Sequence, residues 1–149
     1  NLTTAMTGHQ PNPGSGLTGL GDKVPPAAIE NIVRALGIKH VARIDPFNLK
    51  KSIETVKKFY ALKEPAVIIM DRECQLQAYR RKIREGKPVP RFEIDQKKCI
   101  KCGKCLFEYA CPAIYKEKGE YRIDKNLCTG CGCCAQVCPV NAIKVGSLE

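Results

Sequence analysis

Five of the ten cysteines fall within CTGCGCCAQVCP, residues 128–139. Four more lie between Cys99 and Cys111, and only Cys74 stands apart. Their spacing repeats. One half reads Phe92-x-Ile94-Asp95-x3-Cys99-x2-Cys102-x2-Cys105. The other reads Tyr121-x-Ile123-Asp124-x3-Cys128-x2-Cys131-x2-Cys134, offset by 29 residues. Each half closes on Cys-Pro, at Cys111-Pro112 and Cys138-Pro139, so an internal duplication is expected. Three thiolates at this spacing sit on one tight loop and can grip three corners of an iron-sulfur cube. The fourth corner needs a distant Cys, and in the run C-x2-C-x2-C-x3-C-P the last Cys serves the other cluster. The pattern therefore predicts one [4Fe-4S] cluster on Cys99, Cys102, Cys105 and Cys138. It predicts a second on Cys128, Cys131, Cys134 and Cys111. Cys133 is left over and is read as a packed spare thiol. Five residues separate Cys105 from Cys111 where the strict run has three, so a loop bulge is expected there.

Competing chemistries fit the cysteines poorly. Disulfides suit exported proteins, and nothing in the first thirty residues reads as a signal peptide. Zinc usually takes separated Cys-x2-Cys pairs rather than triplets with Cys-Pro tails. Gly103, Gly130 and Gly132 would let backbone N–H groups approach the sulfur atoms, which tunes reduction potential. Residues 91–149 resemble the two-cluster bacterial ferredoxins. That resemblance implies a small pseudo-symmetric α+β module carrying single electrons at low potential.

The elements around this module read as α/β. Pro25-Pro26 opens a helix with Ile29, Ile32, Val33 and Leu36 on one face, and Gly37 ends it. Residues 38–44 read as a strand. Asp45-Pro46 reads as a helix N-cap and first residue, with Leu49, Ile53, Val56 and Tyr60 lining the helix that follows. The apolar run 65–70 reads as a strand buried on both faces. A basic helix or loop runs to about Glu85, and 86–90 reads as a linker. The domains are accordingly expected at 1–90 and 91–149. Two parallel strands do not make a stable sheet, and the chain opens on Asn1 rather than Met. It is therefore expected to be a piece of a longer protein, with further strands upstream.

The formal charge of +10 invites a nucleic-acid reading. The positive residues are scattered apart from Arg80, Arg81, Lys82 and Arg84, and there is no aromatic stacking platform. That cluster is read as a solvated helix face, with docking of an acidic redox partner or an anionic substrate as the alternative. No apolar run reaches the roughly 18 residues of a membrane span. No nucleic acid and no membrane are expected, and the location is expected to be cytoplasmic.

The order of segments points further. NLTTAMTGHQPNPGSG, IENIVRALGIKHVARIDPFNLKKSIETVKKF, PAVIIMDREC and CTGCGCCAQVCP together resemble the alpha subunit of the indolepyruvate:ferredoxin oxidoreductase family, part of the 2-oxoacid:ferredoxin oxidoreductase superfamily. The resemblance covers essentially all 149 residues. It implies that 1–90 is the C-terminal part of a parallel-sheet domain that binds thiamine diphosphate, followed by the two-cluster domain. It implies oxidative decarboxylation of aryl 2-oxo acids such as indolepyruvate to acyl-CoA. Coenzyme A would take the acyl group, soluble ferredoxin the electrons, and a smaller beta subunit would complete the enzyme.

Carried over by position, Asn1 and the Thr3 carbonyl would ligate Mg2+, which prefers hard oxygen ligands. Thr7, Gly8, His9 and Gln10 would lie over thiamine diphosphate. Met6 stands where the pyruvate branch has Asn, which suits a bulkier aromatic substrate. No catalytic residue is singled out, and the segment alone is not expected to turn over. His40 is read as an ordinary surface or satisfied histidine, and Cys74 as a packing residue. A ferredoxin-like electron carrier without its own catalysis, and a sibling oxidoreductase for another oxo acid, are the competing readings.

Overall fold

The computed structural model describes residues 3–4 and 10–148, with side chains described for 12–146. The chain divides into two compact units, 1–77 and 78–149, with the division inside one helix.

In the first unit β1 (Thr3–Thr4) pairs antiparallel with β2 (Gln10–Pro11), Thr4 opposite Gln10. Asn12 then accepts from Gly14 N at 2.9 Å and starts a 3-10 turn over Pro13–Ser15. Helix α1 (Ile29–Ala35) begins three residues beyond Pro26, and Gly37 ends it in the left-handed region at φ +84°. Strand β3 (His40–Ile44) runs parallel to β4 (Ala66–Met70), with His40 opposite Ala66 and Ile44 opposite Met70. Between them lies α2 (Leu49–Tyr60).

Its cap differs from the expected Asp45. Asp45 Oδ1 accepts from Phe47 N and closes a turn, while Asn48 Oδ1 accepts from Lys51 N at 3.1 Å and caps the helix. Both residue types cap well, and the one nearer the helix wins. Two crossed ion pairs tie the strand ends together: Arg43 to Asp71 and Arg72 to Asp45, each at 2.6 Å. His40 pairs with Glu64 at 3.3 Å and meets Phe59 edge-on. The run 65–70 is not buried on both faces: Ile69 is buried and Met70 exposed. Helix α3 (Gln75–Arg84) carries the basic cluster as a helix with no buried residue.

In the second unit β5 (Pro90–Ile94) pairs antiparallel with β8 (Ile143–Leu148). The hairpin β6 (Ile114–Glu117) and β7 (Glu120–Ile123) turns at Lys118-Gly119, both at positive φ. A two-residue turn of this hand matches the strand twist. Between strands sit two short helices, α4 (Lys104–Phe107) and α5 (Cys133–Val137). Each starts one residue before the third Cys of its loop. Ile114, Tyr121, Cys134 and Ile143 form the core, flanked by Phe92, Ile94 and Leu106.

Residues 86–90 are no simple linker: Val89 is 1% exposed. Burying such a side chain contributes about 1.5–3 kcal/mol, which fixes the chain where Pro and Gly suggested freedom.

Candidate metal centres

The two cysteine loops are launched by the same local device. Asp95 Oδ1 accepts from Lys97 N, and its carbonyl accepts from Cys99 N. Asp124 repeats this with Asn126 N and Cys128 N. Aspartate forms such turns readily because its side chain reaches its own backbone two residues on. Each Asp N–H is in turn held by a carbonyl beyond the closing Cys-Pro, Ala142 for Asp95 and Ala113 for Asp124. The aspartate-to-cysteine spacing in the sequence is thus the spacing of a turn. Each loop then passes a left-handed glycine, Gly103 or Gly132, that starts α4 or α5. A Cβ on Gly130, also left-handed, would meet Pro90 O at 2.5 Å, so that loop passes hard against β5.

The structure brings the thiols together in two groups. A cavity is lined by Cys99, Cys102, Cys105 and Cys138, with Ile94, Tyr121 and Ile143 among its walls. The Cys105 thiol is pushed up by burial and then by the charges of Cys99, Cys102 and Cys138. Cys134 is pushed up to about 12 by burial, then by Cys111, Cys131 and Cys128. Cys111 is also raised, mainly by burial, although the N–H groups of Ala113 and Ile114 oppose this. Ala142 N donates to Cys138 Sγ at 3.2 Å. Four thiolates crowded into a half-buried space repel one another. A cationic metal core relieves that repulsion, so the donor set fits such a group. The bulge before Cys111 is absorbed by Ala110 at φ +52°.

Among the described residues, no group of three or more His, Cys, Asp or Glu side chains is arranged to hold a single metal ion. A cube of four irons is gripped at its corners, so its thiolates stand further apart than ligands of one ion. Cys133 is 1% exposed, and its thiol meets the same Tyr109 hydroxyl that lies by Cys131. Cys74 lies between β4 and α3 and is half-buried.

Two contacts at the second quartet had no sequence signature. The buried Arg91 guanidinium donates to the Cys128 carbonyl and lies over the Tyr79 ring. Tyr109 Oη lies 3.9 Å from Cys131 Sγ. The extra pair of residues between Cys105 and Cys111 was the available hint for Tyr109. Of the residues expected to hold thiamine diphosphate and Mg2+, Thr3 and Gln10 fall on the paired backbone of β1 and β2. Asn1, Thr7, Gly8 and His9 lie outside the described residues.

Duplicated turns, two groups of four thiols and apolar walls are the features of a two-cluster iron-sulfur domain. Residues 92–145 match the 4Fe-4S dicluster domain family. Beyond that segment, 97% of the chain is similar to "Indolepyruvate oxidoreductase subunit IorA" of Pyrococcus horikoshii, 43% identical over 148 residues. The same subunit of Methanothermobacter marburgensis is 42% identical over 146 residues. The chain spans about 22% of the length of these relatives. A "Pyruvate synthase subunit PorD" of M. marburgensis is 46% identical over 52 residues, covering 35% of this chain and 60% of that protein. The family resemblance read from the sequence thus extends along nearly the whole chain. Among the described residues no helix is long and apolar enough to cross a membrane.

Proposed function

We propose that this chain belongs to the alpha subunit of a cytoplasmic indolepyruvate-type 2-oxoacid:ferredoxin oxidoreductase. In it, residues 91–149 carry electrons away from a thiamine site to which residues 1–90 contribute. The single observation that carries this reading is the interleaving of the thiols, with Cys138 beside Cys99, Cys102 and Cys105. That arrangement suits two [4Fe-4S] clusters, one on these four and one on Cys111, Cys128, Cys131 and Cys134.

The protein's part is to hold each cluster rigidly, wall it with apolar side chains and offer N–H groups to sulfur. That of Ala142, to Cys138 Sγ, is in place. Thiamine diphosphate with Mg2+, when bound, supplies decarboxylation and oxidation of an aryl 2-oxo acid to acyl-CoA. Asn1 and Thr3 would meet the metal, and Thr7, Gly8, His9 and Gln10 the cofactor. The beta subunit, coenzyme A and a soluble ferredoxin complete the assignment. Similarity to IorA along 97% of the chain supports it over a free-standing carrier.

The test has two arms. The full-length subunit, reconstituted without oxygen, should hold about eight irons from two four-iron clusters. Cys138→Ala should remove about half of them, and the EPR signal that disappears should be that of the first cluster. Retention of all iron would refute the cross-ligation. With its partner subunit, the enzyme should reduce a viologen dye when given indolepyruvate and coenzyme A, and only when thiamine diphosphate is present. Thiamine-independent dye reduction, or a preference for pyruvate, would refute the enzymatic part.

A further inference from the structure

The duplication lets the two thiol loops be compared position by position. The first carries Lys97, Lys98, Lys101 and Lys104. The same places 29 residues on hold Asn126, Leu127, Gly130 and Cys133, and 126–138 carry no charged side chain. All four lysines are exposed, and Glu108 is the one acid between 96 and 111. Lys101 keeps its place at φ +57°, a left-handed conformation that strains any residue with a Cβ. The second quartet holds the same four thiolates with one guanidinium nearby, that of Arg91. Thiolate charge alone therefore does not call for four exposed lysines.

Apolar groups stand among these charges. Ile100 is 61% exposed and Phe107 73%. The Phe107 ring lies over the loop, where a Cβ on Gly103 would meet it at 2.8 Å. Ile100, Cys102, Gly103 and Lys104 also line the cavity of the first quartet, so one wall of that cavity is an outer face. Cys102 is itself exposed. The second loop turns inward instead: Cys128 and Cys134 are buried, and the backbone at Gly130 is pressed against Pro90.

Such a face fits a partner that is apolar at the centre of its contact and acidic around it. Resting on the two-cluster reading above, we propose that residues 97–107 are the docking face for an acidic single-electron carrier protein, and that electrons leave this chain at the first centre. One electron passes at each encounter. The reduced first centre is oxidised, the carrier's own redox centre is reduced, and no bond or proton moves. The lysines act by steering, which raises association rates about 10- to 1000-fold and fades with salt.

The experiment mixes the reconstituted full-length subunit and its partner subunit, reduced with stoichiometric dithionite, with an oxidised acidic ferredoxin in a stopped flow. Lys98→Glu with Lys101→Asp reverses two charges of the face, and aspartate is among the residues that tolerate a left-handed backbone. Arg80→Glu with Arg84→Glu reverses as many on α3, which lines no part of the cavity. The lysine variant should keep its iron and its rate with a zwitterionic viologen. Its rate with ferredoxin at low salt should fall about tenfold or more, with a flatter dependence on ionic strength. Calorimetric binding of ferredoxin, both proteins oxidised, should weaken with it. The arginine variant should change little, and Lys98→Gln with Lys101→Asn should show a smaller loss of the same kind. An unchanged ferredoxin rate in the lysine variant overturns the proposal. Equal losses in the lysine and arginine variants, or loss of iron in Lys98→Gln with Lys101→Asn, do the same. Dithionite supplies the electrons, so a failure of thiamine-dependent dye reduction would sink the enzymatic reading and leave this result to decide the docking face.

Discussion

Residues 78–149 bury Val89, Ile114, Tyr121, Ile143 and three cysteines, whereas the described part of 1–77 buries only Ile44 and Ile69 among its hydrophobic residues. The contrast is not one of composition, because both units are rich in Ile, Leu and Val. The cysteine module closes on itself: two antiparallel pairs and two short helices surround one core. The first unit has two parallel strands with α1 and α2 beside them, and neither helix buries a residue. Ile53 and Val56 on α2, Ile32 on α1 and Leu36 just beyond it stay largely open. A parallel pair is stable when both faces are covered. In the relatives the matched stretch is 22% of the protein. The difference teaches that a duplicated thiol module can bury a core of its own within about seventy residues, while one parallel strand pair with its helices buries little.

Stripping iron from the holoprotein should break the comparison most severely. Metal-site free energy is folding free energy, so chelation should expose residues 78–149 to hydrogen exchange while leaving exchange in 1–77 unchanged. Equal loss in both units would show that they are not separate. A glycine pair comes next. Gly130 sits at φ +73° with Pro90 O 2.5 Å from where a Cβ would lie, while Gly37 sits at φ +84° with nothing within 4 Å. Gly130→Ala should cost about 3 kcal/mol, from left-handed strain plus overpacking. Gly37→Ala should cost about 1–2 kcal/mol, from strain alone. Denaturant unfolding of each variant measures both, and equal costs would mean that β5 gives way. The smallest effect belongs to Ile53→Ser on α2, expected within about 0.5 kcal/mol in this chain. A larger loss would reveal burial that the structure does not show.

What was legible from sequence follows the same divide. The thiol grouping could be read because Cys-x2-Cys-x2-Cys fixes three ligands on one loop, and the duplication points to where the fourth comes from. Asp95 and Asp124 mark turns whose geometry is local. By contrast, Arg91 reaches Cys128 across 37 residues, and Tyr109 reaches Cys131 across 22. Contacts that tertiary packing alone creates have no periodicity to betray them. The helix cap was misplaced because Asp45 and Asn48 are both good caps, and only the start of α2 decides between them. Val89 was hidden in a Gly- and Pro-rich stretch whose composition suggests a tether. The tight passage of the second loop past β5 makes it part of the core instead.

The pairing of β5 with β8 sets Pro90 opposite Leu148, so the module's entrance and exit lie side by side on adjacent strands. A unit with neighbouring ends behaves as a cassette, which can be spliced onto a host or left alone without rewiring its interior. The same cassette covers 60% of a separate pyruvate synthase subunit and forms part of a far longer subunit in the indolepyruvate oxidoreductases. Gene fusion and fission at this point would cost the wiring nothing but a peptide bond.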